Sequence, residues 1–398
     1  MKTLIASSQK KIAQTRTDFV RSCMDEFDWD TSLIGIRGAR GVGKTTLLLQ
    51  YIKQHLMHEI DAVLYVSLDN IWFSDNRLVT LADQFAKMGG KYLFLDEVHK
   101  YPDWSVELKN IYDDFPELKV FFTGSSLLEI LNARADLSRR AIMYEMQGLS
   151  FREYLNFELG TDFQPFPLDE ILKNHYLISQ DILQKIKPLQ HFDKYLRKGY
   201  YPFFRENPKL YYTKIGEIIN MILEVEMPLL RNISPAYVHK IKQLLFIISE
   251  SSPFIPNITT LSARIGINRE TLLIYLFYIH EAQLIFEAYH SARGITQLQK
   301  PDKIFMENAN LMYALRGDTV DTGNVRETFF VNQLRHSHLV ELAAKADFRV
   351  DEKYTFEVGG RNKDERQIAN TQNAYLAIDN IEYGFTNHVP LWLFGFLY

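Results

Sequence analysis

Cysteine is nearly absent from this chain of 398 residues, which contains only Cys23. A single thiol excludes an internal disulfide framework and a cysteine-based zinc site. The chain also lacks an apolar run close to the roughly 20 residues that a membrane helix needs. Its first residues turn polar too early to form the core of a signal peptide. These absences predict a cytoplasmic protein that does not engage a membrane.

An excess of charge of one sign is also missing. The formal net charge is -4 and the isoelectric point is about 6.3. This balance argues against a generally basic surface that coats nucleic acid, although it is compatible with a local basic patch. Hydrophobic residues make up 46% of the chain, which at this length is enough for two or three globular domains.

Apolar runs alternate with helical patterns over the first 150 residues or so. Such alternation predicts a parallel β-sheet that is covered by helices on both faces. The predicted strands are residues 32–37, 62–68, 91–96 and 118–123, with a candidate fifth strand at 141–146 after a short helix. One predicted helix begins at Lys44, and two further helices cover residues 77–88 and 104–114.

The pattern becomes almost continuously helical after Gly148 and returns to mixed helix and strand near Gly323. We therefore predict domains at residues 1–148, 149–250, 251–320 and 321–398. The helices predicted beyond the first domain are 150–158, 188–198, 209–226, 235–249, 260–265 and 269–281.

A glycine-rich loop follows the first predicted strand and precedes a helix, which is the required context for a phosphate-binding loop. Its glycines let backbone N–H groups face a phosphate, and the N-terminus of the helix adds positive potential. Lys44 would reach the β- and γ-phosphates of ATP, and the Thr45 hydroxyl would bind Mg²⁺. The residues predicted to bind nucleotide are Gly38, Ala39, Arg40, Gly41, Val42, Gly43, Lys44, Thr45 and Thr46.

Two adjacent acids, Asp96 and Glu97, end the third predicted strand. Ligands of open α/β sheets bind at the carboxyl ends of the strands, where these acids lie. Asp96 is predicted to hold Mg²⁺, and Glu97 is predicted to orient and polarise the attacking water. The alternative is a pair of acids that begins a solvated loop, and the upstream phosphate loop argues against it.

Two further catalytic candidates have strong alternatives. Thr123 ends the fourth strand and could touch the γ-phosphate or the water, with Ser125 as the next choice, or these residues could simply cap a helix. Arg140, or its neighbour Arg139, could stabilise transition-state charge in the same chain or in a neighbouring subunit. A solvated basic pair is the alternative. His99 is either a sensor of phosphate state or an ordinary loop histidine.

Several stretches together resemble a bacterial and archaeal group of AAA-superfamily ATPases. They are Gly-Ala-Arg-Gly-Val-Gly-Lys-Thr-Thr, Leu-Phe-Leu-Asp-Glu-Val-His, Thr-Gly-Ser-Ser, Leu-Ser-Phe-Arg-Glu-Tyr-Leu and Tyr-Leu-Arg-Lys-Gly-Tyr-Tyr-Pro. The resemblance implies an AAA-type P-loop NTPase sheet, followed by a helical and winged-helix-like region. It also implies a small α/β domain similar to restriction-type nucleases at residues 321–398. The predicted fold class is therefore α/β.

Residues 260–271 have the spacing of a helix-turn-helix, with Gly266 in the turn. Arg269 is an obvious ligand for DNA on the second helix, whereas Glu270 would repel phosphate. This composition favours a role in domain packing over the recognition of a DNA sequence.

The resembled nucleases need an Asp on one strand, then an acid and a lysine two residues apart on the next. Asp347 and Glu357 match the acids, and Glu327 could be a further ligand, but Gly359 occupies the lysine position. Lys363 lies further on and cannot be assumed to replace that lysine. We therefore expect a nuclease relic without nuclease activity, or an ordinary α/β module with two strand-end acids.

The residues thus predict an enzyme that hydrolyses ATP with Mg²⁺ and couples its nucleotide state to the C-terminal domains. A nucleotide-gated protein that binds or processes DNA is the alternative, and a scaffold that holds ATP without hydrolysing it is a third. The partner, either DNA or a protein, and the oligomeric state stay open.

Overall fold

The computed structural model describes residues 1–126, 137–231, 233–290, 300–363, 366, 368 and 371–398. The chain forms two compact units, Met1–Gly148 and Leu149–Tyr398. The predicted division into four domains stays a prediction. The short helix predicted before the fifth strand lies outside the described residues. Within the described ranges, no helix is both long enough and apolar enough to cross a bilayer.

A five-stranded parallel sheet forms the centre of the first unit, as predicted, and the candidate fifth strand belongs to it. The strands run in the order β2-β3-β4-β1-β5. Their bounds are β1 Leu33–Gly38, β2 Val63–Ser67, β3 Tyr92–Asp96, β4 Lys119–Ser125 and β5 Ile142–Glu145. Because β1, β4 and β3 are neighbours, their carboxyl ends meet at one edge of the sheet.

Helices cover both faces of this sheet. Those of the first unit are α1 Lys2–Gln14, α2 Cys23–Glu26, α3 Lys44–His55, α4 Leu78–Lys87 and α5 Trp104–Asp114. One face contributes Leu93 and Val120 to a core with buried residues of α4 and α5. On the other face Phe94 stacks on Phe121, with ring centroids 4.6 Å apart, and Tyr51 of α3 packs against both rings. Both faces of the sheet are therefore apolar, and its polar side chains gather at the strand ends.

Helix α1 was not predicted from the sequence. Leu4, Ser8 and Ile12 are buried on one face, spaced four residues apart along the helix. The Ser8 hydroxyl accepts a hydrogen bond from the backbone N–H of Tyr65 at 2.9 Å. Since β2 is an edge strand, α1 satisfies a backbone group that the sheet leaves unpaired.

The second unit begins with the predicted helical region. Its helices up to residue 281 are α6 Phe151–Leu159, α7 Leu168–Leu183, α8 Pro188–Lys198, α9 Tyr211–Met221, α10 Met227–Arg231, α11 Pro235–Glu250, α12 Ile258–Ile265 and α13 Arg269–Glu281. A π-helical turn, Ile222–Glu226, joins α9 to α10. The predicted helix 209–226 is therefore a longer run that continues to Arg231. Helix α7 was not predicted.

In the rest of the second unit, the described residues form two sheets and two helices. Strands β6 Ile285–Ala288 and β7 Lys303–Met306 form an antiparallel pair. The helices are α14 Ala309–Arg316 and α15 Thr322–Leu334, and the last strands are β8 Val340–Leu342, β9 Phe348–Val350, β10 Tyr354–Gly359, β11 Ala374–Ile378 and β12 His388–Pro390. These five strands form a mixed sheet in the order β12-β11-β10-β9-β8. The mixed segment predicted from Gly323 onward is confirmed.

One buried amide, that of Asn310, connects three helices of the second unit. Its Oδ1 atom accepts hydrogen bonds from the Tyr200 backbone N–H at 2.9 Å and from the Tyr211 hydroxyl. Its Nδ2 atom donates to the carbonyls of Tyr195 and Leu196 at 3.0 and 2.7 Å. These four bonds use the full capacity of the amide.

We expect Asn310→Ala to lower the free energy of unfolding of the second unit by about 3 kcal/mol, because buried donors and acceptors lose their partner. Chemical denaturation measures this change. Asn174→Ala removes an amide of the same kind from an exposed position of α7. It should lower the free energy of unfolding by less than about 0.5 kcal/mol. Equal losses in the two variants would contradict the structural role of Asn310.

Candidate nucleotide-binding site

The loop between β1 and α3 approaches its neighbours so closely that only glycine fits at Gly38. A Cβ atom there would lie 2.1 Å from the carbonyl oxygen of Met146. Gly43, at the N-cap of α3, has a φ of 104°, a conformation that side chains disfavour. The first N–H groups of α3 therefore begin directly at a turn without a capping side chain, which suits an anion.

The lysine of the loop is folded into it. The Lys44 ammonium donates to the carbonyls of Gly38 and Ala39 at 2.7 and 2.9 Å, and the residue is buried. The remaining predicted loop residues differ in exposure. Gly38, Ala39 and Val42 are buried, Arg40, Gly41, Gly43 and Thr45 are half-buried, and Thr46 is exposed.

The carboxylate of Asp96, at the end of β3, accepts hydrogen bonds from three hydroxyl groups. Its Oδ2 atom takes the hydroxyls of Thr45 at 2.8 Å and of Tyr65 at 2.7 Å, and its Oδ1 atom takes that of Thr123. Asp96 is 4% exposed. The structure thus brings together Thr45 and Asp96, the two residues predicted to bind metal.

The oxygens of Thr45 and Asp96 suit Mg²⁺, a hard cation that prefers oxygen ligands and usually keeps water and substrate phosphates in its shell. Among the described residues, no group of three or more His, Cys, Asp or Glu side chains could hold a metal ion. A magnesium bound through one carboxylate, one hydroxyl and phosphates does not require such a group.

Glu97 adopts a left-handed backbone conformation, with φ 56° and ψ 44°. Its backbone N–H donates to the Thr123 hydroxyl at 3.1 Å. Its Oε2 atom lies 3.3 Å from Lys100 Nζ, 3.6 Å from His99 Nε2 and 4.0 Å from Arg40 Nη1. Three nitrogen atoms of neighbouring side chains thus approach the Glu97 carboxylate, and its side chain keeps 21% of its surface exposed.

Thr123 is fully buried between the two acids, where its hydroxyl donates to Asp96 and accepts from the Glu97 backbone. This position makes it a bridge from β4 to the end of β3. The predicted contact of Thr123 with a phosphate or a water stays a prediction. Ser125, two residues on, donates its backbone N–H to His99 Nδ1 at 3.2 Å.

Arg140 lies at the opposite edge of the sheet from the phosphate loop. It precedes Ile142, which pairs with Ile34, four residues or about 13 Å of strand before Gly38. Its guanidinium forms a bidentate pair with Asp113 at 2.8 and 2.9 Å, which lowers the pKa of that carboxyl. Within its own chain, Arg140 is thus separated from the loop by the length of the strand, and a catalytic role for it there stays a prediction. A role in a neighbouring subunit stays a prediction.

Sequence reasoning missed two residues of this site, Tyr65 and Arg21. Tyr65 lies in the middle of β2, where its type gives no hint that its hydroxyl reaches Asp96. Arg21 is buried and donates to the Val42 carbonyl at 3.1 Å, and to the carbonyls of Gln147 and Gly148 at 3.0 and 2.9 Å. Both contacts join segments far apart in sequence.

The second unit holds the other predicted cluster of acids. Asp347 Oδ2 accepts the backbone N–H of Val358 at 2.8 Å, next to Glu357. Lys363 Nζ lies 2.5 Å from Glu357 Oε1. A Cβ atom at Gly359 would lie 2.7 Å from the Cβ of Lys363, so the lysine chain covers the glycine. Lys363 thus pairs with Glu357 from a position beyond Gly359, and the predicted loss of the nuclease lysine stays a prediction.

Glu327 of α15 belongs to the same cluster. Burial, followed by the charge of Asp347, raises its pKa from an ordinary value of 4.5 to about 7, although Lys303 Nζ is 3.5 Å away. Burial likewise raises the pKa of Glu357. The nuclease-like assignment of this unit stays a prediction.

The helix-turn-helix spacing falls on α12 and α13, and Gly266 lies between them with a φ of 71°. Asn268 caps α13 by accepting the Thr271 backbone N–H at 2.7 Å. The antiparallel pair β6 and β7 follows in the chain. The winged-helix assignment stays a prediction.

The parallel sheet and its phosphate loop define the first unit as a P-loop domain of the AAA type. Residues 30–155 match the model of the family described as AAA domain. An uncharacterized protein of Methanocaldococcus jannaschii is 28% identical over 285 residues, which are 68% of this chain and 60% of that protein. The chain thus spans less than two thirds of that relative's length.

Two solved structures share a distant likeness with the chain. AMPPCP-bound DnaA from Aquifex aeolicus has a TM-score of 0.28 and 14% identity, over 65% of this chain and 85% of that one. The Aeropyrum pernix ORC1 protein in complex with DNA has a TM-score of 0.31 and 12% identity, over 78% of this chain and 92% of that one.

We expect Tyr65→Phe to raise the Mg²⁺ concentration needed for half-maximal nucleotide binding by about tenfold or more, because Asp96 loses a supporting hydroxyl. Nucleotide binding without Mg²⁺ should be unchanged. A fluorescent ATP analogue titrated at several Mg²⁺ concentrations measures both quantities. Tyr92→Phe, which removes a hydroxyl at the far end of β3, is the control and should behave like the wild type.

The raised pKa of Glu327 predicts a pH dependence of stability. The folded chain binds this proton more tightly than the unfolded one, so the contribution is complete below pH 4.5 and is lost as the pH rises through about 7. Glu327→Gln should therefore gain stability relative to the wild type between pH 5 and 8, as measured by denaturation at each pH. Glu170→Gln, at an exposed site on α7, should keep the wild-type slope.

Proposed function

We propose that the chain binds ATP and Mg²⁺ at the loop between β1 and α3 and hydrolyses the bond to the γ-phosphate. The observation that carries this proposal is the arrangement around Asp96. The carboxylate accepts the Thr45 hydroxyl of the loop helix at 2.8 Å, and the next residue is the carboxylate Glu97. The residues proposed to hold the metal and the candidate base are thus neighbours at the strand ends.

Binding rests on the phosphate loop. Lys44 is the cation of the loop, and its ammonium needs only to exchange the carbonyls of Gly38 and Ala39 for phosphate oxygens. The uncapped N-terminus of α3 adds backbone donors and the positive end of the helix dipole.

Thr45 and Asp96 would hold Mg²⁺. When bound, this ion neutralises charge that develops on the β- and γ-phosphates. The Tyr65 and Thr123 hydroxyls keep the Asp96 carboxylate in one orientation, so the ligand is positioned before substrate arrives.

Glu97 would orient the attacking water and accept its proton. Lys100 Nζ and Arg40 Nη1 lie 3.3 and 4.0 Å from its Oε2 atom and help to hold the carboxylate in place. The exposed fraction of its side chain leaves room for water. Thr123 holds the Glu97 backbone, so the base and the metal ligand share one support.

Arg21 supports a coupling between nucleotide state and the second unit. One guanidinium binds the Val42 carbonyl of the phosphate loop and the carbonyls of Gln147 and Gly148, the last residues of the first unit. A shift of the loop on nucleotide binding would therefore act on the segment that leads into residue 149. We propose this contact as the route of coupling.

DNA binding has weaker support from the described residues. Around the turn between α12 and α13, Lys240 Nζ donates to the Gly266 carbonyl at 2.7 Å and Arg264 lies 4.0 Å from Glu250. Glu270 occupies the first turn of α13. These contacts and charges favour packing over contact with a polyanion.

We expect Lys44→Ala to weaken ATP binding by about 10- to 100-fold, because a charge-assisted contact is lost. Glu97→Gln should keep ATP binding and lose at least about a hundredfold in turnover, because the amide cannot accept a proton. Equilibrium binding and phosphate release measure the two effects.

Lys87→Ala and Glu117→Gln carry the same changes at exposed positions of the first unit and serve as controls. Magnesium-dependent hydrolysis at the wild-type rate in both Lys44→Ala and Glu97→Gln would refute the assignment. Tight ATP binding by a wild type that shows no turnover would instead indicate a nucleotide-binding scaffold.

A further inference from the structure

His99 is a buried histidine beside the candidate site that the proposed hydrolysis does not use. It lies in the short 3₁₀ turn Val98–Lys100, which follows β3 and Glu97 directly. Its side chain is 2% exposed. A histidine held this firmly next to a catalytic carboxylate can act on that carboxylate's position or on its proton.

The hydrogen bond to Ser125 fixes which ring nitrogen carries the proton. His99 Nδ1 lies 3.2 Å from the backbone nitrogen of Ser125, whose N–H can only donate. Nδ1 is therefore the acceptor and carries no proton. In the neutral ring the proton is then on Nε2.

The protonated nitrogen faces Glu97. His99 Nε2 lies 3.6 Å from Glu97 Oε2, slightly beyond hydrogen-bonding distance, so a small rotation of the half-buried Glu97 side chain would form the bond. Lys100 and Arg40 also approach this oxygen, but their side chains are 32% and 33% exposed. His99 differs from both in being buried and tied to a neighbouring strand.

We propose that His99 is a positioning residue for Glu97, whose carboxylate it holds in the orientation needed to activate water. This inference rests on the proposed ATP hydrolysis. Glu97 is then attached to the end of β4 at two points. The Thr123 hydroxyl holds its backbone N–H, and Ser125 holds its carboxylate through the imidazole of His99. The end of β4 thus sets both the place and the direction of the base.

Two substitutions of His99 distinguish the roles of its two ring nitrogens. His99→Asn keeps an oxygen where Nδ1 accepts from Ser125 and removes the donor to Glu97. His99→Gln places an amide donor near the Nε2 position. We expect kcat to fall about tenfold or more in His99→Asn, the equivalent of one lost hydrogen bond to a charged group, and to stay within about threefold of wild type in His99→Gln.

A loss of positioning acts on kcat alone. The KM for ATP and the Kd of a fluorescent ATP analogue should stay within about twofold of wild type in both variants, since positioning the base does not contribute to nucleotide binding. A merely structural role for His99 would instead change nucleotide affinity and thermal stability together with kcat, and would not distinguish Asn from Gln.

Wild-type kcat in His99→Asn, with turnover present in the wild type, would overturn the His99 proposal alone. An equal loss in both variants that is accompanied by weaker nucleotide binding would also overturn it. If His99→Asn does not fold, His99→Gln decides, because a loss of about tenfold or more in that variant contradicts the donor role. No turnover in the wild type would overturn the proposed function itself and this inference with it.

Discussion

Three hydroxyl groups that converge on the carboxylate of Asp96 determine the geometry of the candidate site. They come from the loop helix (Thr45), from β2 (Tyr65) and from β4 (Thr123). An ionised carboxylate that is almost wholly buried is costly unless donors surround it. These donors offset that cost, and in doing so they fix the relative positions of three elements at the strand ends. Because Glu97 is the next residue, the hydrogen bonds to Asp96 also fix the position of its backbone.

The order of the strands explains why these groups can meet. In the order β2-β3-β4-β1-β5, the strand that carries the acids has β2 on one side and β4 on the other. The phosphate loop follows β1, one strand further on. A hydroxyl from each flanking strand can therefore reach Asp96 directly, whereas β5 is too distant to take part. The edge strand β2 contributes to the site because α1 satisfies its free backbone group.

The parallel sheet and the phosphate loop could be predicted because their signals are local. Apolar runs mark the strands, and the glycine spacing before Lys44 is legible without tertiary structure. Tyr65, Arg21 and the orientation of His99 could not be predicted, since each depends on a contact between segments brought together by folding. Helix α1 was not predicted because its buried face consists of few residues, one of which is the polar Ser8.

The surroundings of two other predicted residues could not be read from the sequence either. Arg140 was a reasonable candidate by type and by its place before a strand, but a residue before a parallel strand lies at the amino end of the sheet. Its partner Asp113 neutralises it there. For Glu327, the sequence indicated a carboxylate but not its environment. Burial of that carboxylate raises its pKa.

The contact between Gly359, at the end of β10, and Lys363, in the turn after it, leaves room for a side chain at only one of the two positions. The aliphatic chain of Lys363 fills the space that any side chain at residue 359 would enter. A lysine can therefore serve the Glu357 carboxylate from position 359 or from position 363, but not from both. In relatives of this chain the two positions should vary as a pair, with a glycine at the first wherever the second supplies the ammonium group.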